Sequence, residues 1–442
     1  MEGNFLNFFP SIEYVIEREV LVEVIRDFQE WEPPSLVRRE LRVPLDLRIK
    51  RAISIIGPRR AGKTYYMFQL ITDLLERGVE RDRILYVNLE DYRLEGADYR
   101  DLGSILETYY EMYPENRGRK VWLFLDEVQN VRGWEKAVRT FIDRENVQVF
   151  VTGSSSKLLS REVATQLRGR ALTYEIYPFS FREFLRARGF QPGEYLSSRE
   201  KSALLNMLDE YLRWGGYPEA VIEHGKRRKI LEEIWEVTIA RDIVDRWKIR
   251  NLRVLRLLIR ALQESREFSA HKFYNYLKSL GVRVSKNTIY NYLEYLYDSL
   301  VAYPLKKYSP SYKEVEASTP KIYLVDNGLY PRKEEGLLLE NLVFMELKRR
   351  GYRENREMYY WRDPTGKEVD FLVLRGGAAQ LIQVAYELTY RNIDREVKPL
   401  VKAAKQLAVK DLTIITWNQQ QTIRRGNLEI KVTPLWKWLL RR

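Results

Sequence analysis

The octapeptide GPRRAGKT, Gly57 to Thr64, constrains this chain more than any other stretch. It fits G-x-x-x-x-G-K-[ST] in full, directly after the apolar run AISII and at the start of the helical pattern TYYMFQLITDLLERG. Glycines let such a loop wrap a phosphate, so that its amides and the helix N-terminus face the anion. The expected nucleotide-binding segment is Gly57, Pro58, Arg59, Arg60, Ala61, Gly62, Lys63, Thr64 and Tyr65, with Lys63 reaching the β- and γ-phosphates and Thr64 holding magnesium. ATP or GTP is the expected nucleotide.

The second half of such a site is legible in KVWLFLDEVQNV. An unbroken apolar strand, Val121 to Leu125, ends in Asp126 and Glu127. Asp126 is expected to hold magnesium, and Glu127 to orient or deprotonate the attacking water. An acidic turn after a strand is common by itself, but its pairing with the upstream phosphate loop is not. AISIIG, RILYVNL, KVWLFLD and VQVFVTG, alternating with helical patterns, read as buried strands of a parallel sheet, an α/β nucleotide-binding layout. After the last of them, Thr152 or Ser154 could sense the γ-phosphate, and Arg168 or Arg170 could serve as an arginine finger. The bland reading of those arginines, a solvated basic helix end, stands beside the functional one.

Composition limits what else can be built. The 442 residues suggest two to four domains. With no cysteine and only His224 and His271, thiolate and ordinary zinc sites are excluded, so any metal must be held by oxygen, as magnesium or manganese is. There are 75 Lys and Arg against 62 Asp and Glu, a net charge of +13 that favours a polyanion partner, although a charged, heat-adapted surface has a similar balance. The N-terminus lacks the pattern of a signal peptide, and no run is long and apolar enough for a membrane span. A soluble cytoplasmic protein is expected. Near the N-terminus, Ile12, Val15, Ile16, Val20, Val24 and Phe28 recur at helical spacing, and the helix should stop before the EPP at 32–34.

Farther on, Phe273 and Leu277 mark one helix, Gly281 a turn, and Ser285 the cap of a second helix whose Ile289, Leu293 and Leu296 share a face. The other face carries Lys286, Asn287, Tyr290 and Asn291, suited to bases or phosphates as in a helix-turn-helix unit. VAYPLKKYS and PKIYLVD could pair as a wing, adding phosphate contacts from Lys306 and Lys307. The same unit could instead be a protein-interaction module.

GPRRAGKT, FLDEVQNVRGWEKAVR, VTGSSSKLLSREVATQLRGRALTYEIYPFSFREFL and YLRWGGYPEAV together resemble the archaeal and bacterial AAA-type DExx-box ATPases, over about residues 36 to 420. The resemblance implies an N-terminal helix and linker (1–35), a parallel-sheet P-loop AAA-type ATPase core (36–185), and a helical lid (186–250) in which Arg241 could approach the nucleotide. It further implies a winged-helix DNA-binding domain (251–330) and a restriction-endonuclease-like α/β domain (331–442). ATP, magnesium, DNA and a homo-oligomer, such as a hexamer, are the implied cofactors and partners.

In active endonuclease domains of that kind, an acid on the first helix, an Asp on the second strand, and a Glu and Lys two apart on the third surround a metal. Here the positions are Glu340, Asp370, Gln383 and Ala385. Glu340, Asp370 and the Gln383 carbonyl could still hold a cation, but Ala385 removes the lysine, and a replacement by Lys367 would be a relocation. The expected role of this domain is a DNA-binding platform or oligomer interface. For the chain as a whole, magnesium-dependent ATP hydrolysis coupled to DNA binding or remodelling is expected, in repair, recombination or junction processing, with an ATP-gated nuclease or a non-motor ATP-switch regulator or defence protein as alternatives.

Overall fold

The computed structural model describes residues 16–153, 167–331 and 334–441. Ser154 and the first part of the expected N-terminal helix lie outside them. The chain forms two compact units: residues up to 36, 41–56 and 63–175 in one, and 37–40, 57–62 and 176–442 in the other.

The first unit is a five-stranded parallel sheet of β1 (Ala52–Ile56), β2 (Ile84–Asn88), β3 (Val121–Asp126), β4 (Val147–Thr152) and β5 (Ala171–Glu175), in the order β2-β3-β4-β1-β5. Its helices are α1 (Arg18–Glu30), α2 (Lys63–Glu76), α3 (Tyr99–Met112) and α4 (Trp134–Arg144). Every residue of β1 and β3 is buried, as expected of strands covered on both faces. That is why four of the five strands read as apolar runs in the sequence. The fifth, ALTYE, is half-buried throughout because it lies at the sheet edge, and nothing apolar announces it. With β4 inserted between β1 and β3, Leu125 pairs with Val151, and the ends of β3 and β4 carry Asp126 and Thr152 side by side.

The second unit begins with α5 (Phe181–Ala187), α6 (Ser198–Trp214), α7 (Pro218–Ile222) and α8 (Arg227–Val237), then a π-helix, Thr238–Asp245. Next come α9 (Leu252–Glu264), α10 (Ala270–Ser279) and α11 (Lys286–Asp298), and an antiparallel hairpin of β6 (Ala302–Leu305) and β7 (Lys321–Leu324) with α12 (Tyr312–Ala317) in its connection. Ser285 caps α11 as its position suggests, accepting the Thr288 amide at 3.0 Å, a cap worth about 1 kcal/mol.

The remainder is α13 (Glu335–Arg349), β8 (Met358–Arg362), β9 (Glu368–Arg375), β10 (Ala378–Val384), α14 (Ile393–Leu407), β11 (Asp411–Thr416), β12 (Gln421–Arg425), β13 (Leu428–Pro434) and α15 (Leu435–Leu440). These strands form a six-stranded mixed sheet, β12-β13-β11-β10-β9-β8, in which β10 runs parallel to β11 and antiparallel to β9. The elements of this segment begin in the order helix, three strands, helix and strand. The β12–β13 hairpin extends them; its outer strand, QTIRR, is mostly exposed and has no apolar run to reveal it. One hydrophobic cluster runs from Tyr177 through Leu212, Leu258, Leu296 and Phe344 to Leu439, so the helical segments and the mixed sheet share a core. Among the described residues no helix is long and apolar enough to cross a membrane.

Candidate functional site

Asp126 is the last residue of β3 and is buried. A buried carboxylate without partners is costly; here three hydroxyls converge on it. Thr152 donates to Oδ1, Tyr86 donates to Oδ2 at 3.0 Å, and Thr64 supplies a further side-chain hydrogen bond. Burial pushes the Asp126 carboxyl up from its ordinary value; the three hydroxyls pull the other way, and the neighbouring Glu127 charge adds to the rise. Thr64 lies in the first turn of α2, right after the buried Lys63, whose helix N-terminus favours an anion. Adjacent hydroxyl and carboxylate oxygens are the hard donors that magnesium takes, and magnesium needs few protein ligands when a nucleotide supplies the rest. The donor set therefore fits the ion.

Glu127 adopts a left-handed backbone, φ 55° and ψ 47°, which is uncommon for a residue with a side chain. Its amide donates to Thr152 Oγ1 at 3.1 Å, and its carboxylate accepts from Gln129 Nε2. Thr152 therefore corrects one expectation. It is fully buried, and its single hydroxyl proton is committed to Asp126, so it buttresses the Asp126–Glu127 pair and has no proton left for a γ-phosphate. Tyr86 and Gln129 escape a sequence reading because nothing in β2 or in the turn after β3 shows that they reach the acids.

The loop residues 57–62 hold other contacts in the second unit. A Cβ at Gly57 would lie 2.2 Å from the Ile176 carbonyl oxygen, so only glycine fits there. Arg59 and Arg60, expected among the nucleotide-binding residues, commit their side chains elsewhere: Arg59 to Asp242 at 2.9 Å, and Arg60 to Glu219 at 2.7 Å. It is Asp242 of the π-helix that meets the loop; Arg241 is exposed and faces Asp245 at 3.6 Å. Arg39 supports the loop from the side, donating to the Ala61 carbonyl at 2.8 Å. The Tyr65 ring is exposed and packs edge-on against Phe68.

Arg168 and Arg170 precede β5, and the Arg170 carbonyl accepts the amide of Ala52, the first residue of β1. The phosphate loop follows the other end of that strand, about 13 Å away at ~3.3 Å per residue. These arginines therefore cannot serve their own chain's Asp126–Glu127 pair.

The C-terminal acids come together, but around a lysine. Lys321 of β7 is buried, and its Nζ lies 2.9 Å from Glu340, 3.0 Å from Asp370 and 2.6 Å from Glu368; Arg266 meets Glu340 at 3.1 Å. The Gln383 carbonyl oxygen accepts the Asp370 amide, and its amide nitrogen donates to Glu396. Burial, reinforced by the Glu340 charge, raises the Asp370 carboxyl to about 7. Glu340 is held below its ordinary value: burial opposes its ionisation, and Lys321 and Arg266 outweigh it. The expected cation site at Glu340, Asp370 and Gln383 is corrected here, because an ammonium occupies the place between the carboxylates and the amide of Gln383 is already engaged. The lysine beside these acids is Lys321 of β7, not Lys367, and a lone Lys opening the short run KIYL gives no sign of this.

On α11, Lys286, Asn287, Tyr290 and Asn291 are all exposed. The Lys286 ammonium lies 5.3 Å from the centroid of the Tyr274 ring. The Lys306 ammonium pairs with Glu316 at 2.5 Å, and Lys307 is half-buried beside it.

An AAA domain family model matches residues 49–185, and two domains of unknown function, DUF8612 and DUF4143, match 205–334 and 335–438. The uncharacterized protein MJ1544 of Methanocaldococcus jannaschii is 36% identical over 446 residues, covering 97% of each chain. An uncharacterized protein of Haemophilus influenzae is 31% identical over 345 residues, 76% of this chain and 82% of its own. Among solved structures, the Walker-type ATPase PABY2304 of Pyrococcus abyssi aligns with a TM-score of 0.40 and 14% identity, over 72% of this chain and 95% of that one.

Gln129→Ala, by freeing the Glu127 carboxylate, should lower the kcat of ATP hydrolysis about 10- to 100-fold with little change in KM, measured by phosphate release; an unchanged kcat would show that Gln129 does not position Glu127. Lys321→Met leaves buried carboxylates without their ammonium and should cost about 3–5 kcal/mol, seen as a lower melting temperature. Asp370→Asn, which removes the acid already pushed toward neutrality, should lower it far less.

Proposed function

Because the chain belongs to one family with MJ1544 and matches an AAA domain over residues 49–185, we propose that it is a magnesium-dependent ATP hydrolase whose turnover is coupled to DNA. The observation that carries this reading is the convergence of Thr64, Tyr86 and Thr152 on Asp126, with Glu127 next in the chain. Lys63 and the N-terminus of α2 would hold the β- and γ-phosphates. Magnesium, when bound to Thr64 and Asp126, would neutralise phosphate charge. Glu127 would take the proton of the attacking water, with Gln129 holding its carboxylate and the Glu127 amide anchored on Thr152.

DNA is the proposed partner because α10, α11 and the β6–β7 hairpin follow the order of a winged helix, and α11 presents Lys286, Asn287, Tyr290 and Asn291 outward. We read the mixed sheet as a restriction-endonuclease-like platform. Lys321 among its acids supports a binding or structural role over cutting. Placement of Arg168 and Arg170 beyond reach of their own site supports fingers acting on a neighbouring copy, and so a homo-oligomer. The process proposed is cytoplasmic DNA repair, recombination or junction remodelling.

Phosphate release should rise when duplex, single-stranded or four-way DNA is added at moderate salt, and the Lys286→Gln/Tyr290→Ala double variant should lose that response while keeping its basal rate. Absence of both DNA binding and stimulation would sink the coupling. Glu127→Gln should bind ATP while turning it over about 10²- to 10⁴-fold more slowly; normal turnover would mean another group activates the water.

A further inference from the structure

The most one-sided charge on the molecule lies outside α11. Between Asp245 and Glu264 there is no acidic residue, yet Arg246, Lys248, Arg250, Arg253, Arg256 and Arg260 all fall there. Those six charges, in so short a segment, set against a net charge of +13, make this the place where the basic excess concentrates.

The structure turns the run into a face. Val254, Leu255, Leu258, Ile259 and Leu262 bury one side of α9 in the hydrophobic core. Arg253, Arg256 and Arg260 come out on the other, with Lys248 and Arg250 exposed just ahead of the helix. The spacing of three and four residues keeps the arginines in one stripe, and from Arg250 to Arg260 the stripe runs about 15 Å at ~1.5 Å per residue.

Pairing distinguishes this face from the rest of the surface. Elsewhere in the same unit, the helical arginines Arg213, Arg228 and Arg241 each lie against an acid one turn away, before Arg213 and after the other two. On α9 only Arg260 has such a partner, Glu264 at 3.1 Å. One turn on from Arg253 is Leu257, and one turn on from Arg256 is Arg260, so the sequence withholds a carboxylate. Among the described residues, Lys248, Arg250, Arg253 and Arg256 have no acid within ion-pair distance. Unneutralised like charges along one helix face are mildly destabilising in the free protein, which an anionic partner would relieve. The helix N-terminus, capped by Asn251 on the Val254 amide, adds partial positive charge at the same end.

We propose that this face of α9, with Lys248 and Arg250, is a second nucleic-acid contact that grips backbone phosphates without reading sequence. The inference rests on the DNA-binding reading above and adds a surface to it. Guanidinium groups match phosphate oxygens in a two-pronged geometry and are weakly hydrated, so they suit a contact made and released along a strand. About 15 Å of helix spans roughly four phosphates of one strand at ~3.4 Å rise each. A lipid surface fits less well, because the apolar side of α9 is spent in the core and cannot insert.

The test is DNA affinity by fluorescence anisotropy against KCl concentration, comparing the full chain with an Arg250→Gln/Arg253→Gln/Arg256→Gln triple variant. Glutamine keeps the helix and removes the charge, and a melting curve and the basal ATPase rate should match the parent. The slope of log K against log salt should flatten by about 0.9 per arginine, roughly 2.7 for all three, by the same amount on unrelated sequences. An unchanged slope, with the parent binding DNA, overturns the proposal while leaving the α11 contact standing. Loss of binding to phosphatidylserine vesicles, with DNA affinity intact, overturns it in favour of a membrane contact. No DNA binding by the parent at low salt removes the DNA reading and this surface together.

Discussion

The hydroxyl of Thr152 holds the candidate site together. It donates to Asp126 and accepts the amide of Glu127, tying the end of β4 to the end of β3. A hydrogen bond to a charged group contributes about 1.5–3 kcal/mol, and here it also fixes direction. Glu127 can adopt its left-handed backbone because that amide is caught. The turn then aims one carboxylate toward Thr64 and leaves the next with Gln129. Without β4 between β1 and β3, no side chain would be placed to do this, so the strand order and the chemistry are one constraint.

Buried carboxylates recur in the C-terminal sheet, and the chain handles them differently there. At Asp126, hydroxyls share the charge and leave oxygen donors that a metal can take. At Glu340 and Asp370, an ammonium from β7 lies between the acids and neutralises them. Because β7 belongs to the hairpin that follows α11, the same contact also binds that hairpin to the mixed sheet. A cluster that resembles a nuclease site in sequence order is thereby an internal ion network.

How much of this was legible depended on whether the signal was local. The phosphate loop, the run Val121 to Leu125 and the acids after it were readable, because burial on both faces forces an unbroken apolar run and the loop spacing is dictated by phosphate geometry. The cap at Ser285 and the face of α11 were readable for the same reason. Edge strands β5 and β12 were not, since an exposed face leaves no apolar pattern. Long-range polar partners were invisible as well: Lys321 reaches Asp370 across 49 positions, and Arg59 reaches Asp242 across 183. That Thr152 lies at a strand end near the acids is legible; what its hydroxyl does is not, because sequence position cannot tell where a hydroxyl proton points.

Lys63, Thr64 and the Asp126–Glu127 turn, all in the first unit, are the proposed working site for magnesium and ATP. Phosphate release by the purified chain, with magnesium and with a chelator, in the parent and in Lys63→Ala, tests it most directly. The account predicts hydrolysis that requires magnesium and falls to background in the variant. Hydrolysis that persists equally in the chelator or in Lys63→Ala, or none by the parent under any nucleotide and DNA condition, would contradict it.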